Sequence, residues 1–542
     1  MSVFLAKAAA YVTTLTAQFR AIVRVAEPEP VDYPFAASDV AQWHRVRHAP
    51  GAASVDESTR SGLLLDDYFT LITAQVSIFG KQVLHHRLAD GLDDAARAAL
   101  VERLQALMRD PDRLESLSHA CRALRSADTE IAALLLEARL PPIPRWAGYS
   151  WLLFAGLAAS LAAGALSPLA WLGAGYCMYQ LIALQMRYAE PMAAWERAMQ
   201  ALRMLLRTSS LLAALPDPLL DEFTGAGALA GQINRRLTRI PGLDAMGVRA
   251  YLDWFLAANV NHYFRAIGVV GRHRAFLIEC YLRCANLEAD IALARHLLAT
   301  ASTCWAERGG EGTIALELAV HPLLPRPAAL SIALAGKGAF ISGQNGIGKS
   351  TLLRTIGLNL LVARAFGFCY AGKARVPMLP VYASMHSEDS LLGGESLYMA
   401  ELQRARELLA VADGPHRASF LIDEIFRGTN HLESVSAAAA VLDVLAAHNM
   451  VIVSSHNLML ASLLEHRLVP LCVAPDAAGA LTLAPGLLAH TNGIALLAQR
   501  GFDAAIEANA AKVFNWLGSY LAQPGSGSHL LGTPAEQALR RA

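Results

Sequence analysis

The chain has 542 residues, enough for two or three domains with cores of their own, and its 46 Lys and Arg balance 46 Asp and Glu to a formal net charge of +0. That balance argues against a globally basic duplex-gripping surface, and seven dispersed cysteines, an odd number, suit reduced thiols rather than a disulfide framework. Mean hydropathy is +0.33, high for a soluble protein and concentrated in one stretch.

At the N-terminus Phe4, Leu5, Ala8, Tyr11, Val12, Leu15, Phe19, Ile22 and Val23 recur at helical spacing. This predicts an amphipathic helix that either lies on a membrane surface or packs on the core, and it lacks the uninterrupted apolar run of a signal peptide. Glu27–Gly62, rich in Pro, Ala, Ser and Asp, reads as linker. Helical periodicity dominates residues 61–310.

Between Trp146 and Met186 there is no charged residue. A bilayer-spanning helix takes about 20 apolar residues, so the stretch is expected to hold two, Trp146–Ala165 and Pro168–Met186, joined at Ser167-Pro168. Arg145 and Arg187 would flank them on one side, as the positive-inside rule asks. The expectation is a transmembrane hairpin with membrane lipid as partner; an apolar hairpin buried in a helical domain is the alternative. Ile233–Ile240 (INRRLTRI) is a local basic run, expected to be a solvated helix face. Cys280 and Cys284 share a helix face without a further ligand, so no metal beyond Mg²⁺ is expected.

The most informative segment is Gly343, Gln344, Asn345, Gly346, Ile347, Gly348, Lys349, Ser350, Thr351. It follows an apolar strand-like run, Ala339–Ser342, and opens a helical pattern over Leu352–Ala365. Strand, glycine turn and helix N-terminus make a phosphate-binding P-loop for ATP. Backbone N–H groups close on phosphate oxygens, Lys349 reaches the β/γ-phosphates and the Ser350 hydroxyl ligates Mg²⁺. Downstream, Ser419–Glu424 (SFLIDE) is a strand ending in two carboxylates. Asp423 is the expected second Mg²⁺ ligand and Glu424 the expected general base for the attacking water. Met450–Ser455 is a further buried-type strand that delivers His456 at its carboxyl end, where a γ-phosphate sensor belongs.

Leu391–Leu402 (LLGGESLYMAEL) and, after the carboxylates, Ile425–Asn430 (IFRGTN) discriminate among ATPase families. Gly-Gly, Ser396, Glu401 and then DE-x-x-RGT resemble the ATPase domain of the MutS mismatch-repair family. Asp389 and His321–Leu324 (HPLL) match further family positions, and Pro485–Phe502 resembles the family's closing helix, where Ser-Tyr-Gly is usual at Thr491, Asn492 and Gly493. Leu63–Leu88 resembles the start of the MutS core and Ala285–Trp305 the lever helix, so the resemblance covers roughly residues 61 to 520. It implies a homodimer through the ATPase domains, with Ser396 approaching the γ-phosphate of the partner's site. About sixty residues precede the core, too few for the family's mismatch-reading and connector domains. The P-loop reads Asn-Gly-Ile-Gly where Asn-Met-x-Gly is usual, and no aromatic stands between Pro322 and Ile332 to stack on adenine.

The expected fold class is an α/β P-loop ATPase domain of the ABC/MutS type, preceded by a mostly α-helical MutS core and lever with an inserted transmembrane hairpin. The expected domains are 1–60 (amphipathic helix and linker), 61–145 (first part of the core), 146–187 (hairpin), 188–310 (core and lever), 311–520 (ATPase) and 521–542 (tail). The expected function is Mg-dependent ATP hydrolysis coupled through dimerisation to lever movement, at the cytoplasmic membrane with the ATPase domain in the cytosol. The competing readings are an ATP-gated DNA clamp of the mismatch-repair class in the cytoplasm and the ATPase half of an ABC transporter. The last is disfavoured because RGTN after the carboxylates is not its pattern.

Overall fold

The computed structural model describes residue 30 and residues 32–48, 53–137, 139–239, 248–385, 397–475, 481–489 and 492–521. The N-terminal amphipathic segment, Ser396, Asp389 and the Gly-Ser tail lie outside them. Two compact units share the chain: residues 1–36, 77–79 and 116–284, and residues 37–76, 80–115 and 285–542.

The second unit holds the strands. In chain order they are β1 (Cys304–Trp305), β2 (Glu307–Arg308), β3 (Thr313–Ala319), β4 (Leu330–Ala335), β5 (Gly338–Gly343), β6 (Phe368–Cys369), β7 (Lys373–Val376), β8 (Val381–Ser384), β9 (Ser419–Asp423), β10 (Met450–Ser454), β11 (Leu468–Pro475) and β12 (Leu481–Pro485). Six of them form the central sheet in the order β12-β11-β5-β10-β9-β8. Its members run parallel except β12, which closes one edge antiparallel to β11. The interior strands are continuous apolar runs, as a parallel sheet covered on both faces requires, and every residue of β5 and β10 is buried.

Helices cover that sheet. Leu408 of helix Leu397–Ala412 and Leu442 and Leu445 of helix His431–Ala446 pack with Phe340, Phe420 and Val453 in one core cluster. Helix Lys349–Phe366 is buried along most of its length. The predicted strands at 339–342, 419–424 and 450–455 are therefore β5, β9 and β10, β5 being one residue longer at each end and β9 and β10 one residue shorter at the C-terminal end. Within Glu27–Gly62, read as linker, three short helices form at Ala37–Val40, Gln42–Arg47 and Glu57–Gly62. Trp43 anchors one of them at 4% exposure, and the Asp56 carboxylate caps another by accepting from the Thr59 N–H.

The first unit is helical, and it corrects the membrane expectation. Among the described residues no helix is long and apolar enough to cross a membrane. The transmembrane hairpin in the fold class, the lipid partner and the location at the cytoplasmic membrane fall with that finding. The reasons are local. Trp146–Ser150 lie outside any helix, with Ser150 at 5% exposure accepting from the Asn261 amide at 2.7 Å, and the first helix runs from Trp151 to Ala163. Those 13 residues span about 20 Å, against a hydrocarbon core of about 30 Å. The second helix, Ala170–Leu212, is long, but Gln180, Gln185, Tyr176 and Tyr179 dilute its charge-free part and charged residues follow from Arg187. Gln185 is committed inside the unit, donating to the Asp253 carbonyl and to Asn259. The two helices meet through Leu157, Ala174 and Leu181.

His321, just after β3, is 3% exposed; its Nδ1 accepts from the Leu323 N–H at 3.4 Å while Nε2 has no partner. Burial, with Arg354 nearby, lowers its pKa from 6.5 to about 4. Between those values the unfolded chain takes up the proton and the folded chain does not, so stability present above about pH 6.5 is lost as pH falls toward 4. By this linkage His321→Asn should remove up to roughly 3 kcal/mol of acid sensitivity across that window. Urea denaturation at a series of pH values checks it, parallel curves for variant and parent being the contrary result.

Candidate functional site

Neighbouring strand ends set the site. Ile341 of β5 lies beside Ser454 of β10, and Ser454 lies beside Asp423 of β9. The segments following all three strands therefore leave from the same edge of the sheet, where ligands of open α/β sheets sit. Gly346 and Gly348 adopt φ of +77° and +99°. These left-handed conformations disfavour a side chain and turn the loop into helix Lys349–Phe366. The Asn492 side chain clamps the turn, its Oδ1 accepting from the Asn345 N–H at 2.9 Å and its Nδ2 donating to the Asn345 carbonyl at 3.3 Å.

A cavity of about 350 Å³ opens there, lined by Gly346, Gly348, Lys349, Ser350, Thr351, Asp423, Glu424, Arg427 and His456. The Lys349 ammonium donates to the carbonyls of Gly343 and Gln344 at 3.1 and 3.3 Å and stands 3.4 Å from His456 Nε2. Burial lowers its pKa, while Glu424 and Asp423 act to raise it. His456 is held below its ordinary value by burial and then by Lys349, so its imidazole is neutral near pH 7. His456 Nε2 is 3.1 Å from Glu424 Oε1. The Ser454 hydroxyl donates to Asp423.

Glu424 itself sits at φ +57°, as does Phe426 two residues on. For residues with a Cβ this costs on the order of 1–3 kcal/mol each, the kind of strain that concentrates at functional sites. The surroundings hold it. The Glu424 N–H donates to the Ser454 carbonyl at 2.9 Å, Arg427 Nη1 reaches Glu424 Oε2 at 2.8 Å, and Phe426 is buried in the core at 1% exposure. Glu401 fixes the following loop, its Oε2 accepting from the N–H groups of Arg427 and Gly428 at 2.9 and 3.3 Å.

Lys349, Ser350, Thr351, Asp423, Glu424 and His456 thus come together with Gly346 and Gly348. Gly343 ends β5, and Gln344, Asn345 and Ile347 complete the loop. Ser396 is not among the described residues. Two contributors lie inside segments that the sequence marked, Ile425–Asn430 and Met450–Ser455, without a role of their own assigned there. Arg427 stands three residues beyond Glu424 and Ser454 two before His456, and proximity to the named carboxylate and imidazole was the available signal. For Mg²⁺ the donor set is suitable, since the Ser350 hydroxyl and the Asp423 carboxylate, both hard oxygen donors, line the same cavity.

A Cβ at Gly428 would stand 2.6 Å from the Tyr398 backbone nitrogen. The obstacle is main chain, so it cannot rotate away. Gly428→Ala is expected to destabilise by about 1–3 kcal/mol through forced backbone shifts; an unchanged urea midpoint would contradict this reading of the loop.

Residues 339–473 match the family model for MutS domain V. Among similar proteins, the DNA mismatch repair protein MutS of Thermus aquaticus is 30% identical over 200 residues, 35% of this chain and 24% of that protein. Endonuclease MutS2 of Thermus thermophilus is 36% identical over 162 residues, 29% of this chain and 21% of its own length. DNA mismatch repair protein MSH3 of Mycosarcoma maydis is 32% identical over 147 residues, 26% of this chain and 12% of its own. The match to each of these relatives spans a quarter or less of the relative's length. The similarity lies in the segment that carries β5, β9 and β10, which resembles MutS domain V.

Proposed function

We propose that the chain is a MutS-type ATPase that hydrolyses ATP to ADP and phosphate at the cavity on the carboxyl edge of β5, β9 and β10. The observation that carries this reading is the meeting of Lys349, Asp423, Glu424 and His456 around one P-loop. The loop N–H groups and Lys349 bind the β- and γ-phosphates, and Lys349 offsets the charge that develops on them. Ser350 and Asp423 hold Mg²⁺, which supplies charge neutralisation on the phosphates. Glu424 orients a water and takes its proton as the new O–P bond forms and the bond from the γ-phosphorus to the β-bridging oxygen breaks. Arg427 and His456 keep the Glu424 carboxylate in one rotamer, and His456 also reads the γ-phosphate. By resemblance two subunits pair through these domains, with Ser396 of each completing the other's site and the lever helices following the closure.

Glu424→Gln keeps shape and loses the base, so ATP binding should persist while turnover falls about 10²-fold or more. Lys349→Ala should instead weaken binding. Nucleotide affinity and single-turnover hydrolysis, measured separately, check both; parental turnover in Glu424→Gln would sink the base assignment.

A second observation favours nucleic acid as the partner, the reading that competed with a membrane role. In the helical unit a cavity of about 810 Å³ is lined by Arg235, Arg236, Arg239, Arg249, Arg265 and Arg272, and among the described residues Asp253, paired with Arg239 at 2.7 Å, is its one acidic lining residue. Arg235 and Arg236 are exposed, as a solvated helix face requires, yet they belong to this larger basic concavity. Such a surface suits the phosphate backbone of DNA, and the related proteins named for mismatch repair act on that polymer. Duplex binding should weaken with salt, and Arg235→Ala with Arg236→Ala should lower the log–log slope by about one to two. Fluorescence anisotropy across a salt series measures it; a slope of zero in the parent protein excludes the duplex.

A further inference from the structure

Outside the nucleotide site, the second unit gathers histidines around one carboxylate. His44 lies in helix Gln42–Arg47 and His48 just after it, while His86 and Asp90 end helix Ile78–Asp90. Each pair is spaced i, i+4, which puts both members on one helix face. His44 Nδ1 and His86 Nδ1 are 3.2 Å apart; His44 Nδ1 stands 3.6 Å from Asp90 Oδ1 and His86 Nδ1 3.6 Å from Asp90 Oδ2. A tetrahedral ion with bonds of about 2.0–2.1 Å separates its ligand atoms by roughly 3.3 Å. The two imidazole nitrogens already have that spacing, and one donor atom from each of the three residues lies within 4.8 Å of the others.

We propose that His44, His86 and Asp90 form a binding site for a first-row divalent metal ion, Zn²⁺ by preference. Neutral imidazole and carboxylate are the donors that ion takes, and their number leaves one position for water. The surroundings supply the outer contacts such sites need. His48 Nδ1 lies 3.1–3.2 Å from both Asp90 oxygens and orients the carboxylate. His44 turns its other nitrogen to the Ser54 hydroxyl at 3.4 Å, an outer contact compatible with Nδ1 facing the ion. Burial holds both His44 and His86 below the ordinary histidine range, partly opposed by Asp90. The ligand side chains are 14–29% exposed, so an ion can enter without unfolding the site. His85, the neighbouring histidine, accepts from Arg60 through Nε2 at 2.9 Å.

The role is structural. Leu92, two residues beyond Asp90, donates its N–H to the carbonyl of Arg364 at 3.1 Å, in the last turn of the P-loop helix. That helix has 18 residues, so its two ends are about 27 Å apart and the metal is remote from the phosphates. It would tie helix Gln42–Arg47 to the element that packs on the far end of the P-loop helix.

The test uses the full chain, stripped with a chelator and titrated with Zn²⁺ against a chromophoric competitor, with Co²⁺ spectra alongside. One Zn²⁺ per chain is expected, with Co²⁺ bands of a nitrogen- and oxygen-bound four- or five-coordinate ion and a Zn²⁺-dependent rise in Tm. His86→Gln and Asp90→Asn should each weaken binding at least tenfold. Asp423→Asn, in the nucleotide cavity, should retain it. Absence of stoichiometric Zn²⁺ in the parent chain overturns the site whatever the variants do, and so does parental affinity in both ligand variants. Loss in Asp423→Asn alone would assign the ion to the nucleotide cavity instead.

Discussion

The parallel register of three strands is the constraint on which the rest of the domain depends. With Ile341 beside Ser454 and Ser454 beside Asp423, the P-loop, the carboxylates and His456 must emerge at the same edge within a few ångströms of each other. A slip of one residue would turn every side chain of the slipped strand to the other face. The burial of β5 and β10 along their whole length makes such a slip costly. Core packing by Phe340, Phe420 and Val453 thus holds the chemistry in place without touching it.

Register alone would leave Glu424 pointing along the strand. The left-handed turn at Glu424 and again at Phe426 redirects the chain there. Glu401, Arg427 and Gly428 work together to hold that turn: a carboxylate gathers two loop N–H groups, the arginine returns to Glu424, and the absence of a Cβ lets the loop lie against Tyr398. A catalytic carboxylate needs one position more than it needs a relaxed backbone, and the neighbours bear the strain.

How much was legible in the sequence follows from range. The P-loop, the strand ending in Asp423 and Glu424 and the strand before His456 are local patterns, and their elements appear within a residue or so of where periodicity puts them. Arg427 on Glu424 is nearly local and was readable in principle. The clamp of Asn492 on Asn345 spans 147 positions, and no local pattern marks it. The histidines around Asp90 join positions 42 to 46 apart, on a segment that composition marked as linker. Pro, Ala and Ser content is blind to Trp43, whose single buried ring is enough to fix that segment.

The apolar hairpin fails for a different reason. Freedom from charge over 41 residues is a property of composition, whereas crossing a bilayer is a property of one continuous helix. Ser150, bonded to Asn261, lies just outside the first helix, and the glutamines of the second helix count as uncharged while remaining strongly polar. Hydrogen-bonding side chains such as these carry structural information that charge counting discards. The same distinction bears on the basic cavity, where net charge of the whole chain is +0 and yet six arginines, five of them drawn from three helices, line one concavity. Summed charge is blind to placement, and what an anion meets is the local field.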